Sequence, residues 1–251
     1  MEERLNKWLS RMGVCSRREA DRLIEAGKVL VDNRPASMGQ KVTPGQKVVC
    51  NGRMVRVDKS RKPRPVLLAV NKPKGIVCTT TDKDRAENIV DFLGYPERIY
   101  PVGRLDKDSE GLLLMTNQGD LVNKIMRSGN AHEKEYIVTI DKPVTERFLE
   151  QMAGGIRLPE LDQVTRPCKV KKVERNTFSI ILTQGLNRQI RRMCEACGCQ
   201  VKRLVRVRIM NIRLGNLRTG AYRQITKEEY EELTGLLKDS SSLSLKERKN
   251  R

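Results

Sequence analysis

Leu5, Trp8, Leu9 and Met12 recur at i, i+3, i+4 and i+7, the spacing of one helical stripe, and predict a helix over residues 4–13. Gly13 ends it, and Ser16 with Glu19 makes a Ser-x-x-Glu capping box that opens a second helix running to Gly27. Ala20, Leu23 and Ile24 of that helix face inward, while Arg17, Arg18 and Arg22 lie on or beside its outer face. Strands are predicted at 28–31 and 47–50, with turns at Asp32-Asn33 and Pro44-Gly45. Two short helices and a small hairpin predict a module over residues 1–57. The charged, proline-bearing stretch that follows has no apolar period and predicts a linker over 58–65.

From Val66 onward β-rich runs alternate with a few helical ones. Strands are predicted at 66–71, 112–116, 135–141, 168–173, 178–183 and 201–214, the last one broken. Helices are predicted at 88–93, 119–128, 145–153, 187–197 and 227–237, the last opened by a Thr226-x-x-Glu229 capping box. The order is not a strict strand–helix alternation. It predicts an α+β domain over 66–238, with a mixed, largely antiparallel sheet flanked by helices. Residues 239–251 are polar and basic and predict a disordered tail. The longest apolar runs, Val66–Val70 and Leu112–Met115, fall far short of the ~20 residues of a membrane span. The charged, amphipathic N-terminus carries no secretory core, which predicts a cytoplasmic protein with no membrane partner.

Charge then narrows the class. Fifty Lys and Arg against 31 Asp and Glu give +19 over 251 residues. Such an excess favours a polyanionic partner, because each neutralised phosphate releases counterions. Residues 1–65 carry 16 basic and 7 acidic residues, and residues 185–210 carry seven basic residues and Glu195 alone on the other side. Two separated patches make nucleic acid the leading partner, with an ordinary basic surface as the alternative.

The seven cysteines are irregularly spaced and predict reduced thiols. Cys194, Cys197 and Cys199 do form C-x-x-C-x-C, which could hold zinc with a fourth ligand, but no second Cys/His pair has matching spacing. There is no GxxxxGK[ST] loop, no GxGxxG after a strand and no GxSxG elbow, and the single histidine is His132. No cofactor is expected. An enzyme of this composition has to work with carboxylates, Arg and Tyr on a nucleic acid.

The densest segment for such chemistry is Pro101–Asn117 (PVGRLDKDSEGLLLMTN). Gly103 permits an unusual backbone, and Arg104 and Asp106 precede an apolar strand, which would hold the carboxylate rigidly. Read on residues alone, the segment is better taken as a surface loop in which Arg104 pairs with Asp106 or Asp108. Tyr136 could be a core residue of its strand, Ile190 the buried face of its helix, and Arg188–Arg192 a phosphate-binding helix.

The GRLD of residues 103–106 resembles the motif of pseudouridine synthases, in the branch of bacterial ribosomal enzymes with an N-terminal S4 domain. RLNKWLSRMGVCSRREADRLIEAGKVLVDN is similar to the S4 domain itself. NKPKGIVCTT (71–80), HEKEYIVTI (132–140) and GLNRQIRRMCE (185–195) follow in the family's order, so that the resemblance spans residues 3–236. It implies a small αL-type RNA-binding domain ahead of a catalytic domain that isomerises uridine to pseudouridine without a cofactor. Its implied target is structured 23S ribosomal RNA, with a transfer RNA left open, acted on by a monomer. It also implies that Asp106 is the catalytic aspartate, that Tyr136 stacks on the target base, and that Arg191 pairs with Asp106 while Ile190 packs against the base. Arg188 stands where many relatives have His, so no role is carried to it beyond RNA contact. Arg104, Arg192 and the S4 arginines Arg17, Arg18 and Arg22 are expected to bind RNA.

Overall fold

Leu5 and Leu9 of α1 (Leu5–Arg11) are fully buried, as their spacing demands, and they meet Ala20 and Ile24 of α2 (Arg17–Glu25) in one small core. The computed structural model describes residues 2–55, 64–79 and 86–240, and the chain separates into two units, Met1–Arg64 and Pro65–Arg251. Residues 58–63 of the linker expected at 58–65, and 241–251 of the tail expected at 239–251, lie outside the described residues. Ser16 Oγ accepts from the amide of Glu19 at 3.1 Å, but the Glu19 carboxylate turns to Arg22, so only half of the expected capping box forms. Short strands complete the unit: β1 (Glu3–Arg4), β2 (Val29–Val31), β3 (Arg34–Pro35), β4 (Lys41–Val42), β5 (Val48–Cys50) and β6 (Arg53–Met54). β1 pairs with β4, and the other four form a sheet in the order β3-β2-β5-β6. Asp32 and Asn33, both at positive φ, make the tight turn between β2 and β3, a conformation their short polar side chains tolerate.

The second unit is built on β7 (Leu67–Lys72), β8 (Tyr100–Val102), β9 (Glu110–Thr116), β10 (Lys134–Ile140), β11 (Arg157–Leu158), β12 (Gln163–Val164), β13 (Lys169–Glu174), β14 (Thr177–Leu182), β15 (Val201–Ile209), β16 (Ile212–Arg213) and β17 (Tyr222–Gln224). The helices are α3 (Ile89–Leu93), α4 (Gly119–Met126), α5 (Glu146–Gly154), α6 (Gln189–Ala196) and α7 (Lys227–Leu236). A nine-stranded sheet runs β13-β14-β10-β15-β9-β7-β17, with β8 added beside β9 and β16 beside β15; β11 and β12 pair with each other. Every pairing between these strands is antiparallel except that of β9 with β15, so the class is α+β with a mixed sheet. Strands β7 and β9 are buried on both faces, which is why they appear in the sequence as unbroken apolar runs. The break expected within 201–214 falls at Met210, which takes a positive φ and lets β16 fold back on β15. Both halves of the Thr226/Glu229 capping box form at the start of α7. One core lies under α5 and α6, and a second lies under α4 and α7.

The position of the site follows from a fork on β9. One edge of β9 is taken by β7 over Gly111–Thr116. The other edge is shared, with β15 pairing at Glu110 and Gly111 and β8 pairing from Leu114 to Thr116. Gly111 sits at φ +102 where a Cβ would come within 2.4 Å of the Arg206 carbonyl, so only glycine allows β15 to approach this closely. Between the two pairings lie Leu112 and Leu113, and the loop from β8 back to β9 starts and ends at this fork.

Candidate active site

That loop, Gly103–Ser109, carries Asp106. It closes on itself where the Ser109 amide donates to the Asp106 carbonyl at 3.0 Å. Other elements hold its backbone by name. Arg206 Nη1 donates to the Arg104 carbonyl at 3.5 Å; Gly75 N and Lys72 Nζ donate to the Lys107 carbonyl at 2.9 and 3.5 Å; Arg191 Nη2 donates to the Asp108 carbonyl at 3.0 Å. The Leu105 amide donates to Cys78 Sγ at 3.4 Å. Cations from β7, α6 and β15 thus converge on the carbonyls of one seven-residue loop. The half-buried Asp106 carboxylate itself has no hydrogen bond or ion pair among the described residues, and so stands free to meet a substrate.

Arg191 departs from expectation. The family resemblance implies an ion pair with Asp106, yet Nη2 binds the Asp108 carbonyl and Nη1 the Val201 carbonyl at 3.5 Å. The physical reason is the loop's main chain: its carbonyls at Arg104, Lys107 and Asp108 are all taken by cations, and Arg191 supplies the one on Asp108 in place of the carboxylate. Arg191 Nε is buried without a partner among the described residues. Its neighbours in the run diverge. Arg188, the left-handed residue before α6, lies 3.9 Å from Asp108 Oδ2 in an exposed pair worth little. Arg192 donates to the Asn187 carbonyl and pairs with Glu160. Ile190 is 4% exposed and packs in the core with Met193, Val138 and Ile180, the place of a buried helix face. Arg104 is exposed, and does not pair with Asp106 or Asp108.

Tyr136 lies on β10, in register with Ile180 of β14 on one side and Arg206 of β15 on the other. It is half-buried at the meeting point of two core clusters, and its hydroxyl has no partner among the described residues. Arg17, Arg18 and Arg22 are exposed on α2 of the first unit, Arg22 alongside Glu19 at 3.3 Å.

Three buried cations escaped the sequence reading. Lys72 is fully buried, donating to the carbonyls of Pro73 and Ile76 at 2.7 and 2.8 Å; burial pushes its pKa down, against the opposing charges of Cys78, Asp106, Asp108 and Glu110. Arg206 is 1% exposed and Lys134 6% exposed. The available signal was position: Lys134 sits two residues before Tyr136 and Arg206 two after Leu204, both at strand positions whose apolar neighbours turn inward.

Lys134 carries a testable consequence. Its amine donates to the His132 carbonyl at 3.2 Å, and burial, then the charge of Arg206, brings its pKa to about 8 from an ordinary 10.5. The unfolded chain therefore holds one more proton than the folded protein between these values, so folding gains stability as pH rises from about 8 to about 10.5, by at most about 3 kcal/mol. Replacing an unpaired buried charge with an apolar side chain of similar length removes that dependence. Lys134→Met is expected to raise stability at pH 7 by roughly 1–3 kcal/mol and to flatten this alkaline gain. Urea melts of both proteins at pH 7, 8 and 9 measure it, and parallel curves would count against a buried charge.

The cysteines are all free thiols, and burial raises the pKa of Cys168 to about 11 and pushes Cys194, Cys197 and Cys199 upward as well. Among the described residues no group of three or more His, Cys, Asp and Glu is placed to hold a metal ion, and no helix is long and apolar enough to cross a membrane.

Comparison with known proteins gives the family. A family model described as RNA pseudouridylate synthase matches residues 66–196, and the S4 domain model matches residues 3–48. The Escherichia coli K12 dual-specificity RNA pseudouridine synthase RluF is 52% identical over 95% of this chain and 81% of its own length. Ribosomal large subunit pseudouridine synthase B of Bacillus subtilis is 36% identical over 93% of this chain and 96% of its own. Among solved structures, a pseudouridylate synthase superposes with a TM-score of 0.67 at 27% identity, covering 92% of this chain and 99% of that one.

Proposed function

The chain belongs to the RNA pseudouridylate synthase family and is an isomerase that acts on RNA, and from that premise we propose that it converts uridine to pseudouridine in structured 23S ribosomal RNA. The observation that carries the assignment of roles is the free, half-buried Asp106 carboxylate on a loop whose backbone is gripped by cations. A structured transfer RNA is a second target in this reading, in keeping with the dual specificity in the relatives' name. The enzyme works as a monomer in the cytoplasm.

The reaction breaks the C–N glycosidic bond, turns the base and joins its C5 to the same ribose carbon, with the C5 proton lost and one regained at nitrogen. No group is added and no electrons are exchanged. Asp106 supplies negative charge at the reacting centre, either as nucleophile or by stabilising positive charge on the ribose. Arg191 keeps that carboxylate aimed by fixing the Asp108 carbonyl two residues away. The target uridine must leave its stack, which costs a few kcal/mol, and the Tyr136 ring returns about 1–3 kcal/mol by stacking. Arg104 on the loop, Arg188 beside its Asp108 and Arg192 on α6 contact the RNA backbone, Ile190 supports the base pocket from the core, and the S4 unit docks structured RNA through Arg17, Arg18 and Arg22. The test is to incubate the protein with unmodified 23S ribosomal RNA and map pseudouridine by carbodiimide-blocked primer extension. One or a few discrete new stops are expected; none on ribosomal RNA would end the substrate assignment.

A further inference from the structure

Two arginines of β15, two residues apart, are handled in opposite ways. Arg208 is satisfied on every arm: Nε with Glu135 at 2.8 Å, Nη2 with Glu133 at 3.0 Å and Nη1 with the Met210 carbonyl at 2.8 Å. Arg206 is more deeply buried and has no carboxylate partner among the described residues. Its Nε donates to the Leu112 carbonyl at 2.7 Å, its Nη1 to the Arg104 carbonyl at 3.5 Å, and its Nη2 is buried with no partner among the described residues. A second buried cation, Lys134, lies near enough to feel its charge and is likewise without a carboxylate among the described residues. Buried charges are ordinarily paired and buried donors ordinarily satisfied, so an arginine serving packing alone would be finished as Arg208 is.

The unfinished one lies where it matters. Leu112 is the first of two β9 residues, Leu112 and Leu113, between the β15 pairing and the β8 pairing, and Arg104 is the second residue of the Asp106 loop. The Arg206 guanidinium therefore ties both sides of the fork, and Arg206 is the β15 register partner of Tyr136 on β10. We propose that Arg206 is the positioning residue for Asp106: it fixes the fork from which the loop departs, and its uncompensated charge sets the field in which that carboxylate works. This deepens the assignment of Asp106 made above and rests on it, whereas the mechanical part, the clamp on the loop, stands independently.

The test uses the full chain and 23S ribosomal RNA transcribed with tritium at uridine C5, whose release follows the new carbon–carbon bond. Arg206→Lys keeps the charge but not the two-armed hold. At saturating RNA its single-turnover rate is expected to fall roughly 10–100-fold while RNA affinity stays within about threefold, because misplacing a catalytic group costs rate rather than binding. Arg206→Met is expected to lose at least as much again, so that Lys restores part of the rate. A wild-type rate in Arg206→Lys, or lost affinity with an unchanged saturating rate, overturns the proposal. Should wild type release no tritium, the reading of the reaction fails, and amide exchange alone decides the clamp. Exchange at Leu105 and Ser109 is expected to speed up about tenfold or more in Arg206→Lys, as an opened loop allows. Unchanged exchange overturns it. If Arg206→Lys does not fold, the wild type answers: those two amides should exchange as slowly as amides of β9, and the rate of an open loop refutes the clamp.

Discussion

Asp106→Asn is expected to leave the protein folded and RNA binding within a few fold, and to lower single-turnover isomerisation by roughly 10⁴-fold or more, the scale on which enzymes lose rate when a reacting carboxylate or nucleophile is removed. The structure makes the variant unusually clean. The loop is held through the carbonyls of Arg104, Lys107 and Asp108, none of which the substitution touches, while the Asp106 side chain itself makes no hydrogen bond or ion pair among the described residues. Asparagine is nearly isosteric, so a change in melting midpoint worth more than about 1 kcal/mol is not expected. Asp108→Asn is the paired control. Its carboxylate meets Arg188 at 3.9 Å in an exposed pair, and the carbonyl that Arg191 holds is retained, so turnover should stay within about threefold. Comparable rates for Asp106→Asn and wild type would remove the carboxylate from the chemistry.

That prediction could be framed from the sequence, because GRLD is a contiguous motif; its structural half could not. Contiguous signals were legible: the stripe of α1, the Thr226 cap of α7, the buried runs of β7 and β9, and the positive-φ turn at Asp32-Asn33 all rest on residues within one turn or one strand of each other. Short elements whose only support is tertiary were not. β8 contains Pro101 and has three residues, and β17 has three residues at a sheet edge, so neither carries a period of its own. The grip on the loop joins Lys72, Arg191 and Arg206 to carbonyls at 104–108, separations of 35 to 102 residues in the chain, and its acceptors are main-chain atoms that leave no trace in residue identity. Hence the expected Arg191–Asp106 pair was replaced by a contact that only coordinates could reveal.

Tyr136→Phe separates the ring from the hydroxyl. The ring packs where two core clusters meet, and phenylalanine fills the same space, so folding and most of the stacking affinity should survive. The hydroxyl has no partner among the described residues, so its loss costs the fold no hydrogen bond. Any fall in rate is therefore a statement about the reaction: if the phenol assists removal of the C5 proton from the reattached base, turnover should drop roughly 10²–10⁴-fold at saturating RNA. Tyr136→Ala should lose the stacking as well, weakening RNA binding by about 1–3 kcal/mol, or roughly one to two powers of ten in Kd. It also opens a cavity beside Ile180, with a stability cost of about 3–5 kcal/mol if the site cannot collapse, so its rate has to be read on the folded fraction. Single-turnover rates with a binding isotherm for each variant distinguish the two contributions. Small, equal effects of Phe and Ala on the folded fraction would make Tyr136 a packing residue, and the proton would need another acceptor.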